Sequence, residues 1–188
     1  TRKHFLENIL AETSRSERLI NRLLELSAIE SRPHLEEPGI VDFHATVKLA
    51  IDHARPLAEI AGVTLEIHAK PSPLQLVGDA FILRAAVSNL LENAIDFSPR
   101  EGTIDISLDE TDGRAELKIR DHGPGIPDYA RDKIFDRFYS LRHHANGRKG
   151  TGLGLTLVHE AAELHSGTIR LEPADGGGTL SILSLPLA

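Results

Sequence analysis

Cysteine is absent from all 188 residues. That excludes a disulfide framework, a thiolate metal centre and a thiol nucleophile, and leaves the chain indifferent to redox compartment and compatible with the cytosol. Methionine is absent as well, and the chain opens on Thr1; it is therefore expected to be cut from something longer or to have lost an initiator, with any membrane anchor in the missing part. No apolar run approaches the roughly 20 residues that cross a bilayer, and no charged, apolar and small-residue succession marks a signal peptide. The fragment is expected to be soluble, with no membrane contact of its own. Basic charge is in short supply: 21 Lys and Arg stand against 28 Asp and Glu, a formal net charge of -7. No basic stripe of the kind that neutralises a nucleic-acid backbone is present, so nucleic acid is not an expected partner.

With 40% hydrophobic positions, the chain can bury one sizeable core and leave a short appendage outside it. The appendage comes first. Residues 2–31 place Leu6, Ile9, Leu10, Leu19, Ile20, Leu23, Leu24 and Ser27 on one side at steps of three and four, with Glu7, Arg15, Arg18, Arg22 and Glu25 opposite. This predicts an amphipathic helix of about 45 Å, which needs partner helices to cover its apolar face. Residues 32–39 hold Pro33, Pro38 and Gly39 among charges and read as a linker. From residue 40 onward, short β-like runs alternate with helical ones, the pattern of a layered α/β or α+β domain. Strands are predicted at 40–43, 64–69, 75–77, 103–109, 115–120, 168–172 and 179–185. Helices are predicted at 45–60, at 80–97 with Asp79 as N-cap, and along Leu153, Leu157, Ala161 and Leu164. Residues 140–150 are polar, rich in His, Arg and Lys, and without period, and are expected to form a mobile loop.

Four separated segments carry chemistry. In Asn89-Leu90-Leu91-Glu92-Asn93-Ala94 the two asparagines are four residues apart and project from one helix face. Such an amide pair is either a solvated polar face or a holder of hydrated Mg²⁺ through its carbonyl oxygens. Asp121-His122-Gly123-Pro124-Gly125 closes a predicted strand. The glycines permit close ligand approach and a buried carboxylate there accepts from an exocyclic amine such as adenine's; the plainer alternative is a strand-ending turn. Phe135-Asp136-Arg137-Phe138-Tyr139 flanks one arginine with aromatics, a pattern that more often marks core packing with the arginine reaching solvent. Gly150-Thr151-Gly152-Leu153-Gly154-Leu155 opens the last helix from a glycine-rich loop, offering free N–H groups and a positive dipole end to phosphate. Its spacing is not that of a P-loop.

In this order and at these separations the four segments resemble the N, G1, F and G2 boxes of the sensor histidine kinase catalytic domain, of the HisKA/HATPase_c type in the GHKL superfamily. The resemblance covers residues 40–188, and residues 1–31 resemble the second helix of that family's dimerisation and phosphotransfer hairpin. It implies a two-layer α/β (α+β) sandwich of the GHKL (Bergerat) ATP-binding type, preceded by one long dimerisation helix. It also implies ATP and Mg²⁺ as cofactors. Asn93 and Asn89 are expected to serve the metal and phosphates, Asp121 to read the adenine amino group, and Phe97 to pack on the ring. Gly123 and Gly125 would shape the adenine side, Arg137 would approach the terminal phosphate, and Gly150, Gly152, Leu153 and Gly154, with Arg142 and Lys149, would form the lid. The implied activity is transfer of the ATP γ-phosphate to a histidine and its relay to a response-regulator aspartate. The implied setting is a homodimer forming the cytoplasmic portion of a bacterial inner-membrane protein.

The chain departs from the family pattern at Asp96, where many members carry Lys or Arg that touches a phosphate. An acid there would repel the nucleotide unless it points away or another cation, such as Arg100 or a lid residue, replaces the contact. Two alternatives follow from the same fold: a GHKL ATPase, or a degenerate nucleotide-binding scaffold module. Against the first, the family's ATPases activate water with a glutamate four residues before the magnesium asparagine. Here that position is Asn89, an amide that accepts no proton at neutral pH. None of the 10 histidines has the setting of a phosphoacceptor, so the acceptor is expected upstream of Thr1.

Overall fold

The computed structural model describes residues 9, 13, 16–17, 19–24, 26–27, 29, 35, 38–68, 73–141 and 150–188. Strands β4 (Thr103–Thr111) and β5 (Arg114–Arg120) show the period of two that a one-sided sheet requires: Ile104, Ile106 and Leu108, then Ala115, Leu117 and Ile119, are buried, and the residues between them are half-exposed. Asp112 and Gly113, both at positive φ, make the two-residue turn that joins them. Around this hairpin the main sheet runs β2-β4-β5-β7-β6, with β2 (Thr64–Ile67), β6 (Thr168–Pro173) and β7 (Thr179–Pro186). Only β2 and β4 pair in parallel. A second sheet pairs β1 (Gly39–Asp42) with β3 (Gln75–Gly78).

Helix α1 (Phe43–Ala61) starts where the Asp42 carboxylate accepts from the Ala45 N–H and stops at Gly62, whose φ of 72° is the left-handed stop that glycine allows. Helix α2 (Ala80–Phe97) is capped by Asp79, whose Oδ1 accepts from the N–H groups of Phe81 and Ile82 at 2.8 and 3.2 Å. It ends at Ser98, extended because Pro99 follows. Helix α3 (Gly154–Leu164) begins with no side-chain cap. One continuous core joins helices and sheet, from Phe43 and Val47 through Leu83, Val87 and Leu91 to Ile106, Leu117, Leu157 and Leu183. This is the expected two-layer arrangement, and each predicted strand and helix of residues 40–188 is found with its ends moved by a few residues. The short 3-10 helix Asp128–Lys133 is an addition, in a stretch assigned no element from sequence.

The leading segment is helical at every residue described between 9 and 29, with its apolar stripe uncovered and one departure from expectation, at Arg22. Ile9, Ile20, Leu23 and Leu24 of the apolar stripe are exposed. Leu26 and Ile29 are buried to 4% exposure, and Arg22, assigned to the polar side, turns inward with them. Positions 22, 26 and 29 are spaced by four and three, so they form one face, and that face is the one packed against the rest of the chain. The lid prediction for residues 142–149, with Arg142 and Lys149, lies outside the described residues.

Candidate functional site

Helix α2 brings Asn93, Asp96 and Phe97 to one wall of a cleft, because they recur at the three- and four-residue steps of a single helix face. Opposite lie Asp121 at the end of β5, Gly125 and Ile126 beyond it, and Thr179 and Ser181 of β7. Tyr139, Ser140, Leu141, Gly150, Thr151, Gly152 and Gly154 close the remaining side. The cleft opens to solvent, and its empty space, with the solvent at its mouth included, is about 950 Å³. Its inner walls are apolar, with Ile126, Ile134, Leu155 and Leu171 lining it beside Phe97, which suits a flat heteroaromatic ring.

Asp121 is 6% exposed. Its Oδ1 accepts from the Gly123 N–H at 2.9 Å and the Thr179 N–H at 3.1 Å. Burial pushes its carboxyl above the usual carboxylate range; the two backbone donors, the Thr179 hydroxyl and neighbouring His122 pull the other way. Close backbone packing holds the acid in place. A Cβ on Gly178 would lie 2.0 Å from the Asp121 carbonyl oxygen, and one on Gly123 would lie 2.5 Å from the Phe97 carbonyl oxygen. Gly178 backs Asp121, a role that sequence reasoning, which placed it only at the start of the terminal strand, did not assign; the run Gly176-Gly177-Gly178 ahead of β7 was the available signal.

The third and fourth motifs are joined by their backbones. Phe138 donates its N–H to the Gly152 carbonyl at 2.8 Å, and the Thr156 hydroxyl donates to the Phe135 carbonyl at 2.9 Å. Gly152, at φ 70°, would place a Cβ 2.4 Å from the Phe138 carbonyl carbon, so the contact requires glycine. Gly154 packs on the Asn89 side chain of α2, a Cβ there lying 2.9 Å from Asn89 Oδ1.

Not every expected residue reaches the cleft wall. Arg137 is exposed and does not line the cleft. Gly123 works from behind Asp121, and Leu153 is fully buried and does not line the cleft. Asn89 is 5% exposed and lines a neighbouring cavity instead, its Nδ2 donating to the Ala85 carbonyl at 2.9 Å. Asp96 is exposed and lies at the cleft.

Residues 78–188 match the model of the "Histidine kinase-, DNA gyrase B-, and HSP90-like ATPase" family. The chain belongs to this ATPase family. Sensor protein CreC of Escherichia coli (strain K12) is 38% identical over 181 residues, 96% of this chain and 37% of CreC. Sensor-like histidine kinase SenX3 of Mycolicibacterium smegmatis is 33% identical over 189 residues, 99% of this chain and 48% of SenX3. The chain thus spans less than half the length of these relatives. Among solved structures, the mycobacterial sensor histidine kinase MprB is 32% identical with a TM-score of 0.69, over 80% of this chain and 97% of that one.

The ATPase-family cleft fits an Mg-nucleotide in the chemistry of its donors. Asn93 Nδ2, at the cleft, and Asn89 Oδ1, in the neighbouring cavity, are buried without a hydrogen-bond partner among the described residues; the first is a donor that suits a phosphate oxygen and the second an acceptor, and the burial of either is costly unless a ligand engages it. Among the described residues the one cluster of metal-type ligands is Glu66, His68 and Asp105, within 4.8 Å of one another; it sits on β2, the residue after it and β4, and does not line the cleft. A metal in the cleft would therefore rely on amide oxygens, water and phosphate, as Mg²⁺ commonly does.

Proposed function

We propose that the chain is the ATP-binding catalytic portion of a two-component sensor histidine kinase, transferring the γ-phosphate of ATP to a histidine outside residues 1–188 for relay to a response-regulator aspartate. Residues 1–31 serve as a dimerisation helix, 32–39 as a linker and 40–188 as the catalytic domain. The whole protein works as a homodimer on the cytoplasmic side of a bacterial inner membrane. In the cleft Asp121 accepts from the adenine amino group through the oxygen that its backbone donors leave over, and Phe97 with Ile126 and Ile134 packs on the ring. Asn93, with Asn89 behind it, would hold Mg²⁺, which when bound neutralises phosphate charge. The uncapped start of α3 and the Gly150–Gly154 backbone take the phosphates. Arg137 is assigned to the terminal phosphate, with Arg142 and Lys149 in the lid.

One observation separates transfer to a histidine from hydrolysis. Glu92, the carboxylate next to Asn93, is held by Arg22 at 2.5 Å, and the position one turn before Asn93 is the amide Asn89. The one other carboxylate of α2, Asp96, stands a turn beyond Asn93, on the far side from Asn89.

Calorimetric titration with Mg-ATP of the chain and of its Asp121→Asn variant tests the reading. The variant keeps an acceptor oxygen for Gly123 and Thr179 but turns an amide N–H₂ toward the adenine amine, so affinity should fall about 10- to 100-fold while the thermal transition is retained. Equal binding by both proteins would remove Asp121 from the site, and binding by neither would favour a degenerate scaffold module.

A further inference from the structure

Arg22 is the feature that the family assignment leaves unexplained. It belongs to the leading helix, yet its side chain is only 16% exposed and lines the nucleotide cleft. Nη1 donates to the Thr151 hydroxyl at 2.9 Å and Nη2 to Glu92 Oε2 at 2.5 Å. These contacts tie it at once to the glycine-rich loop and to the residue beside Asn93. A Cβ on Gly154 would meet Arg22 Cζ at 3.8 Å and Asn89 Oδ1 at 2.9 Å. The guanidinium therefore stands at the uncapped first turn of α3, beside the asparagine pair. Leu26 and Ile29, four and seven residues on and both buried, anchor the helix face that carries it.

We propose that Arg22 is a phosphate ligand of this site, supplied by the leading helix across the Thr151–Gly154 loop, and that it provides the positive charge which Asp96 withholds from α2. This rests on the nucleotide-binding reading above and adds a residue to it. A guanidinium has five N–H donors in a planar fork; the two contacts described use two of them, and phosphate oxygens accept such forks in bidentate fashion. Glu92 fixes the orientation and Thr151 sets the distance. Because the cation comes from a different element than the rest of the pocket, nucleotide binding and docking of the leading helix favour each other reciprocally.

The test is calorimetry on the whole chain with Mg-ATP and with adenosine, for wild type, Arg22→Gln and Arg22→Lys. Expected is a loss of about tenfold or more in Mg-ATP affinity for Arg22→Gln, adenosine affinity unchanged, and partial recovery in Arg22→Lys, which restores charge but not the fork. Mg-ATP affinity unchanged or raised in Arg22→Gln overturns the proposal and leaves Arg22 as a clasp. An equal fall for both ligands also overturns it, marking a structural role. A wild-type chain that binds neither overturns the nucleotide-site reading itself, and the role of Arg22 with it.

Discussion

His165 shows how one side chain ties stability to pH in this fold. It is 5% exposed, its Nδ1 lies 2.7 Å from the Ala161 carbonyl, and its Nε2 lies 3.0 Å from the Asp79 N–H. The first contact needs a proton on Nδ1 and the second a lone pair on Nε2, so the ring is the neutral Nδ1–H tautomer. Burial pulls its pKa below the ordinary 6.5. The unfolded chain therefore binds a proton that the folded chain refuses between the two values, so this contribution is complete above about pH 6.5 and is lost as pH falls through the folded value. Urea midpoints should drop between pH 7.5 and 5.5, and His165→Leu, though less stable at neutral pH, should show a shallower drop. A Cβ on Gly78 would lie 2.4 Å from the ring, so this residue and its neighbour Asp79 are held by a histidine 86 positions away. Nothing in the local pattern around His165 announces that contact; sequence reading leaves it an ordinary surface or core histidine.

Among the elements, α2 carries most of the site and its start is set by one carboxylate. Replacing Asp79 by alanine strands the N–H groups of Phe81 and Ile82 and should cost about 1 kcal/mol, lowering the melting temperature by roughly 2–4 °C; calorimetric melting checks it. Asp79 and the helix 80–97 were legible because cap, apolar period and terminal Pro99 agree with one another. The strands were legible for the same reason, alternating where one face is buried. The 3-10 helix Asp128–Lys133 was not, since six residues are too few to show a period. The leading helix was legible as a helix with an apolar stripe left uncovered, whereas the inward turn of Arg22 from its polar side was not. Its strongest stripe, with Ile20 and Leu24 at 56% and 64% exposure, waits for a partner, while a weaker triplet of Arg22, Leu26 and Ile29 meets the domain. Periodicity shows that an apolar face exists, and it is silent on which of two faces meets which neighbour.

For the molecule as a whole, the four motif segments stood out as local strings, whereas the order β2-β4-β5-β7-β6 that brings Thr179 behind Asp121 did not. It depends on pairings between residues such as Ile119 and Ser181, 62 positions apart, whose partners no local pattern specifies. The same holds for Gly178, which matters only because β7 crosses behind Asp121. At this scale the chain should bind Mg-ATP without labelling itself: incubation with γ-labelled ATP is expected to leave no stable phosphohistidine on any of its 10 histidines, and a stable label would overturn the upstream placement of the acceptor. The bond from the Phe138 N–H to the Gly152 carbonyl has a further effect on the whole chain. It staples the two ends of the 142–149 connection to each other, independently of what that connection contains. With the ends already held together, doubling its length costs only about 0.6 kcal/mol of closure entropy. Insertions between Leu141 and Gly150 are therefore a route by which this architecture can acquire new sequence without the Asp121 end of the cleft registering the change.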